Sequence, residues 1–239
     1  MAEDRGLVVI TGASRGIGQA LVRRFEAAGH PVLAVARSAT GGTGAAETLP
    51  ADLTRREGVA AVVEAVGARG MPVGVLVNNA GMQAAIDLTA PGPEAETDTV
   101  AAEIALNLAA PIQLTRALLP MMRQPGGTIV NVTSLVSRHP KPSAPVYSAT
   151  KAGLASFTDS LRHQLAPSGI RVMEAVPPLV DTAMTAGRGA GKIAPEAMAA
   201  AIFEGVAEGR HLVAPGIARR VLILNRFLPG LVRRILSRS

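Results

Sequence analysis

The sequence predicts a single α/β domain built on a seven-stranded parallel sheet with helices on both faces. Short β-branched or apolar runs alternate along the chain with longer amphipathic stretches, the pattern of buried parallel strands and their crossover helices. The 239 residues are 48% hydrophobic and include 25 glycines, enough for one substantial core. No internal repeat or break in composition marks a second domain, so residues 1–239 are expected to form one unit.

Strands are predicted near 7–11, 32–36, 48–51, 74–78, 127–132, 170–176 and 211–214, each a short apolar run bounded by turn residues. Helices are predicted over 16–28, 54–69, 97–122, 147–166 and 195–208, where apolar positions recur at helical spacing. One connection is irregular. Between Arg37 and Thr48 the chain reads Ser-Ala-Thr-Gly-Gly-Thr-Gly-Ala-Ala-Glu, glycine-rich and barely long enough for a parallel crossover, and a loop is expected there.

Composition excludes several functions. With no cysteine the chain has no disulfide framework, thiolate nucleophile or thiolate metal site. His30, His139, His163 and His211 are scattered and give no ligand spacing, so no metal is expected. The acidic start Met-Ala-Glu-Asp-Arg-Gly runs straight into a strand, and no uncharged apolar run reaches the roughly 18 residues of a spanning helix, so a cytoplasmic location is expected. The net charge of +6 resides in the tail: residues 217–239 hold six arginines and no acid, leaving 18 basic against 18 acidic side chains elsewhere. Five aromatic residues offer little to stack on bases, and nucleic-acid binding is not expected.

The first strand runs into Thr11-Gly-Ala-Ser-Arg-Gly-Ile-Gly18 and then a helix. Gly12 permits the tight turn, Gly16 lets a pyrophosphate approach the backbone, and Gly18 allows close helix–strand packing. This is a dinucleotide-binding signature, and the architecture it implies is a Rossmann fold. An NAD site usually carries an acid after the second strand, whereas this strand ends Ala36-Arg37. Arg37, with Arg15 in the glycine loop, can grip a ribose 2′-phosphate through bidentate, charge-assisted bonds, so NADP(H) is the expected cofactor.

Tyr147 is the sole tyrosine, and it stands four residues before Lys151, one of three lysines, in Tyr-Ser-Ala-Thr-Lys. On a helix, i and i+4 share a face, so the ammonium can stabilise a phenolate. Each unit of lowering from the ordinary value near 10 needs about 1.4 kcal/mol, and a phenol so tuned is a proton donor near neutral pH.

The glycine loop at 11–18, Asn78-Asn79-Ala80-Gly81, Ser134 thirteen residues before Tyr147, and Tyr-Ser-Ala-Thr-Lys together resemble the short-chain dehydrogenase/reductase family. The resemblance implies a cofactor set of Gly12, Ser14, Arg15, Gly16, Ile17, Gly18, Arg37, Asp52, Leu53, Asn79, Ala80, Gly81, Tyr147, Lys151, Pro177, Val180 and Thr182. Within it, Asp52 with Leu53 beside it would meet the adenine, Asn79 would support the ribose and central sheet, and Val180 and Thr182 would hold the carboxamide. The implied catalytic set is Asn107, Ser134, Tyr147 and Lys151: Ser134 bonds the substrate oxygen, Lys151 binds the nicotinamide ribose and lowers the Tyr147 pKa, and Asn107 belongs to a proton relay. The chain departs from the family at Pro177-Pro178, where Pro-Gly is common; the second proline removes a donor and fixes φ. A similar Pro-Pro turn occurs in a branch named for D-alanyl-teichoic-acid gene clusters. The positions where 3-oxoacyl-carrier-protein reductases use basic residues to dock the carrier fall at or beside Pro125 and Ser168.

These readings imply an NADPH-dependent reductase of a carbonyl, or the reverse alcohol oxidation, on a small-to-medium, largely apolar substrate. Leu135, Val136, Leu179 and Met184 are its candidate lining. The alternatives are a 3-oxoacyl thioester reductase and a cofactor-binding scaffold with vestigial catalysis. A homodimer or homotetramer through 97–122 and 147–166 is expected by analogy. The tail 217–239 reads as a basic amphipathic extension. Leu231, Val232, Ile235 and Leu236 fall on one side of a helix and Arg233, Arg234 and Arg238 on the other. Val221, Leu222, Leu224, Phe227 and Leu228 are expected to pack on the pocket rim or a neighbouring subunit, with contact to an anionic membrane surface as the alternative.

Overall fold

The computed structural model describes residues 6–38, 47–84, 86, 94–187, 189, 191–228 and 230, with backbone only at 94–97. Seven parallel strands form one sheet in the order β3-β2-β1-β4-β5-β6-β7. They are β1 (Leu7–Thr11), β2 (Val32–Ala36), β3 (Glu47–Pro50), β4 (Val73–Asn78), β5 (Thr128–Val132), β6 (Arg171–Ala175) and β7 (Leu212–Val213). The helices are α1 (Gly16–Ala27), α2 (Arg56–Gly67), α3 (Glu94–Ile104), α4 (Ala110–Leu118), α5 (Pro145–Leu165), α6 (Pro195–Ala207) and α7 (Ile217–Phe227).

The alternation of side chains along β1 builds both cores. Leu7 and Val9 face one side, with Leu33, Val35 and Leu76, against Val59 and Val62 of α2, Leu114 and Leu118 of α4, and Leu161 of α5. Val8 and Ile10 face the other, with Ala34, Val77 and Val130, against Leu21, Val22 and Phe25 of α1 and Met198 and Ile202 of α6. Burial on both faces explains why these strands read as continuous apolar runs. The chain order reverses between β1 and β4, and a crevice opens at their carboxyl ends.

The helix expected at 97–122 is interrupted. Ala105–Ala109 form a π-turn between α3 and α4, and Asn107 sits in its middle. Such a turn inserts one residue into the helical hydrogen-bond ladder and often marks a functional site. The segment Asp98–Met121 is long and apolar enough by composition to cross a membrane, yet Leu106, Leu114 and Leu118 lie in the core.

The tail packs on the body only in part. Ala218 is buried, and Val221 and Leu222 are half-buried, but Leu224, Phe227 and Leu228 are exposed at 38%, 72% and 50%. Turning the Ala218, Val221 and Leu222 face toward the body leaves the rest of the apolar stripe, with Ile217 and Ile223, exposed on this chain. The expected loop between Arg37 and Thr48 falls mostly on 39–46, outside the described residues, as do Pro229 and the segment 231–239, expected to be amphipathic.

Gly58, in the first turn of α2, lies against the turn that carries Asp52: a Cβ there would stand 2.0 Å from the Asp52 carbonyl oxygen. At Gly67, at the other end of α2, a Cβ would meet only the Met121 methyl at 3.8 Å. We predict that Gly58→Ala lowers stability by about 2–3 kcal/mol through overpacking, whereas Gly67→Ala is neutral or stabilising by up to about 1 kcal/mol. Denaturant unfolding of the two variants checks the pair.

Candidate active site

The crevice begins where β1 and β4 are tied together. Thr11 Oγ1 donates to the Val77 carbonyl at 3.2 Å and accepts from the backbone N–H groups of Asn79 and Ala80, both at 3.0 Å. Asn79 Nδ2 donates to the carbonyls of Thr11 at 3.0 Å and Gly12 at 3.2 Å. The glycines make this closeness possible. Gly12 has φ +67°, and a Cβ on it would fall 2.7 Å from Ala80 Cα. A Cβ on Gly18 would fall 2.1 Å from the Gly12 carbonyl oxygen, so α1 starts directly against the end of β1.

Gly16 has φ +56°, and a Cβ there would meet Thr182 Cγ2 at 2.9 Å. Thr182 follows the extended stretch Val176–Pro178, where Pro178 is buried, and caps the short turn Ala183–Thr185. Val180 is 3% exposed and pairs with Ile193. The glycine loop and the segment after β6 are thus opposite walls of one groove, bare of side chains on the glycine side. That geometry fits a pyrophosphate: α1 offers its free N–H groups, and no Cβ obstructs them.

Toward the sheet edge, Arg15 and Arg37 are exposed and Ser14 and Ile17 half-buried. Asp52 Oδ1 accepts from Thr54 N at 3.0 Å and Thr54 Oγ1 at 2.7 Å. These bonds, with the nearby charges of Arg55 and Arg37, hold its carboxyl below the ordinary range. The Leu53 side chain packs in the core, so anything it offers a nucleotide comes from its main chain.

The other end of the groove holds the catalytic candidates. Gly81 links the two ends, since a Cβ there would lie 3.2 Å from Asn107 Oδ1 and 3.6 Å from Lys151 Nζ. The Asn107 side chain, fully buried, accepts from Met82 N at 2.9 Å and donates to the Met82 carbonyl at 2.8 Å. It also donates to Thr150 Oγ1 at 3.3 Å. Tyr147 and Lys151 share one face in the first two turns of α5, with Nζ 5.7 Å from the phenol ring centre. Lys151 is 3% exposed, and its Nζ donates to the Val132 carbonyl at 2.8 Å, two residues before Ser134. Ser134 caps the turn Leu135–Ser137, which packs against α5.

Sequence reasoning missed what fixes the serine loop. Arg138 forms a two-pronged ion pair with Glu174 of β6, at 2.6 Å to Oε1 and 2.7 Å to Oε2. Thr133 Oγ1 donates to the same carboxylate at 2.7 Å, and Ser137 Oγ donates to the Ser134 carbonyl at 2.7 Å. The available signal was an acid inside the apolar strand Arg171–Ala175, a place where charge survives only with a partner. His139 is buried beside this pair, and its pKa is lowered by burial and then by Arg138. A surface depression lined by Gly6, His30, Gly74, Arg123 and Arg171 lies at the amino ends of the strands, away from all these groups.

Burial brings the Lys151 pKa from the ordinary 10.5 down to about 8, opposed by the charge of Glu103. Between pH about 8 and 10.5 the unfolded chain therefore binds a proton that the folded one does not, and stability rises with pH across that window. Below it the full cost is present, about 3 kcal/mol by the shift alone. We predict that Lys151→Met raises the stability of the cofactor-free protein at pH 7 by on the order of 1–3 kcal/mol, and that the gain shrinks toward pH 10. Thermal melts at both pH values check it.

The family model for short chain dehydrogenase matches residues 6–192. The chain is 39% identical over 194 residues to the uncharacterized oxidoreductase DltE of Bacillus subtilis, covering 77% of this chain and 75% of that one. It is 29% identical over 253 residues to the ketoacyl reductase HetN of a Nostoc species, covering 95% and 87%. It superimposes with a TM-score of 0.85 on the crystal structure of a short chain dehydrogenase from Burkholderia cenocepacia in complex with NADP, at 28% identity and 99% coverage of both chains. Glycine loop, strand order and the Tyr147–Lys151 pair are thus joined by overall likeness, and the chain belongs to the short-chain dehydrogenase family.

Proposed function

We propose that this oxidoreductase is an NADPH-dependent carbonyl reductase, or in reverse an alcohol dehydrogenase, acting on a small-to-medium, largely apolar substrate in the cytoplasm. The observation that carries this reading is the pairing of Tyr147 with the buried ammonium of Lys151 on one face of α5, beside Asn107 and Gly81. Leu135, Val136, Leu179 and Met184 are half-buried, and as the lining of the groove they would suit an apolar substrate.

When bound, the cofactor supplies the hydride. Gly12, Ser14, Gly16, Ile17 and Gly18 hold its pyrophosphate side; Asp52, Leu53, Asn79, Ala80 and Gly81 line the adenosine and ribose side; Pro177, Val180 and Thr182 lie at the nicotinamide side. Ser134 holds the carbonyl oxygen, and the Tyr147 phenol gives that oxygen its proton. Lys151 makes the phenol more acidic by stabilising its conjugate base and bonds the ribose. Asn107, fixed through both ends of its amide, keeps the Met82 backbone in place next to Lys151. Preference for NADPH is supported by Arg15 and Arg37, exposed at the glycine loop and just after β2, and by the NADP complex of the Burkholderia neighbour. A homodimer or homotetramer is part of the proposal, and the exposed stripe of α7 is available to a partner subunit or to an anionic membrane surface.

The HetN likeness favours one second reading, reduction of a 3-oxoacyl thioester. NADPH oxidation measured against ketones, aldehydes, quinones and acyl thioesters separates the two. In that assay Tyr147→Phe is expected to lose at least about 10²-fold in turnover with NADPH affinity close to normal, because it removes the proton donor alone. Wild-type turnover in the variant would refute the assignment. NADPH is expected to bind more tightly than NADH, and Arg37→Asp to reverse the order by replacing a phosphate partner with a hydroxyl partner. Competitive titration of both cofactors reads this directly, and equal wild-type affinities would contradict it.

A further inference from the structure

Proton donation by Tyr147 makes no direct use of Glu103, yet this carboxyl is fully buried at 0% exposure in the last turn of α3. It stands four residues before Asn107, on the same side of the helix, and both residues grip one segment. Asn107 bonds Met82 in both directions, and Glu103 Oε2 accepts from Ala84 N at 3.4 Å. Glu103 Oε1 has no hydrogen-bond partner among the described residues. A buried carboxyl held by one long bond is costly and calls for a physical reason.

We propose that Glu103 is a positioning residue of the active site: its buried carboxyl fixes segment 82–84 through the Ala84 hydrogen bond and serves as the counter-charge of Lys151. The proposal rests on the role given to Lys151 under Proposed function.

Among the described residues the surroundings leave few other candidates. From α5, the charge that acts on Glu103 is that of Lys151, which is not in ion-pair contact with it, and Tyr147 lies next to that lysine. The 82–84 segment contributes Met82, Gln83 and Ala84, and the π-turn contributes Ala105, Leu106 and Asn107, none of which titrates. On its own helix the nearest acid is Asp98, exposed and five residues away. Lys151 in turn meets the Val132 carbonyl from β5 and the neutral stretch 79–81. Burial raises the Glu103 pKa, opposed by the Ala84 bond and by Lys151, while burial lowers that of Lys151, opposed by Glu103. Each group therefore lessens the penalty of burying the other, and removing the acid must push Lys151 lower still. The ammonium would then be lost closer to neutral pH, along with its hold on the phenol.

The test is Glu103→Gln, which keeps the shape and an acceptor for Ala84. Lysine occurs only at 141, 151 and 192, so 13Cε-lysine NMR of the cofactor-free protein resolves Lys151, with Lys141→Arg and Lys192→Arg as assignment controls. The expected result is a fall of the Lys151 pKa by about 0.5–1 unit, and a matching acid-ward shift of the basic limb of kcat/KM. An unchanged Lys151 titration in a folded variant overturns the proposal and leaves the carbonyl-reductase reading intact, since that reading stands or falls on Tyr147→Phe. Should Glu103→Gln fail to fold, the reciprocal measurement decides: in Lys151→Met the 13Cδ titration of Glu103 is expected to move to higher pH. No movement there would equally overturn it.

Discussion

The close approach of β1 and β4 at their carboxyl ends is the constraint on which the site depends. Two neighbouring parallel strands whose chains continue in different directions must diverge at the switch point, and the backbone groups freed there need partners. Thr11 and Asn79 supply them, one hydroxyl serving three backbone groups and one amide two carbonyls. Without a Cβ on Gly12 or Gly18, the end of β1 can lie against Ala80 on one side and α1 on the other. The groove is therefore a product of backbone packing. The side chains proposed for binding and chemistry are arranged along it, from Arg37 and Asp52 at one end to Tyr147 at the other.

Around that groove the protein accepts buried polarity that a purely structural core avoids. Asn78 donates to Asn131 and Thr115, and Asn131 to Thr158, so a ladder of amides and hydroxyls links β4 and β5 to α4 and α5. Glu174 is neutralised by Arg138 with short, paired bonds, the arrangement in which a buried carboxylate is best tolerated. Lys151 and Glu103 have no such fork between them. The difference is physical: a fully paired ion is rigid and inert, whereas a lysine that touches one carbonyl and one distant acid keeps donors for a ligand.

Much of this was legible in the sequence, for identifiable reasons. The inner strands read clearly because they are buried on both faces, as Leu7–Thr11 and Thr128–Val132 show. The edge strand Glu47–Pro50 is exposed at both ends, so its pattern is weaker and its bounds moved by one residue. The Tyr147–Lys151 pair was visible because both types are scarce and i, i+4 spacing has a fixed geometric meaning. The π-turn was not, since Ala-Leu-Asn-Leu-Ala suits an ordinary helix and only the hydrogen-bond pairing distinguishes the two. Glu103 was not singled out in the sequence, although it lies on one stripe with Asn107, Ala110, Leu114 and Leu118, all buried. An acid on the apolar stripe was the available signal. The tail stripe was legible too, but periodicity defines a stripe without saying what covers it: the body buries Ala218 and leaves Phe227 and Leu228 exposed.

Tyr147 has a further consequence that comes from its isolation. The chain has one tyrosine and no tryptophan, so nearly all of its near-ultraviolet absorption and emission arises from that half-buried phenol above Lys151. A protein of this kind is almost invisible to the usual absorbance assay of concentration. What optical signal it has is a local one, and any change in the band of the phenol records an event at the reacting end of the groove, free of background from the rest of the fold.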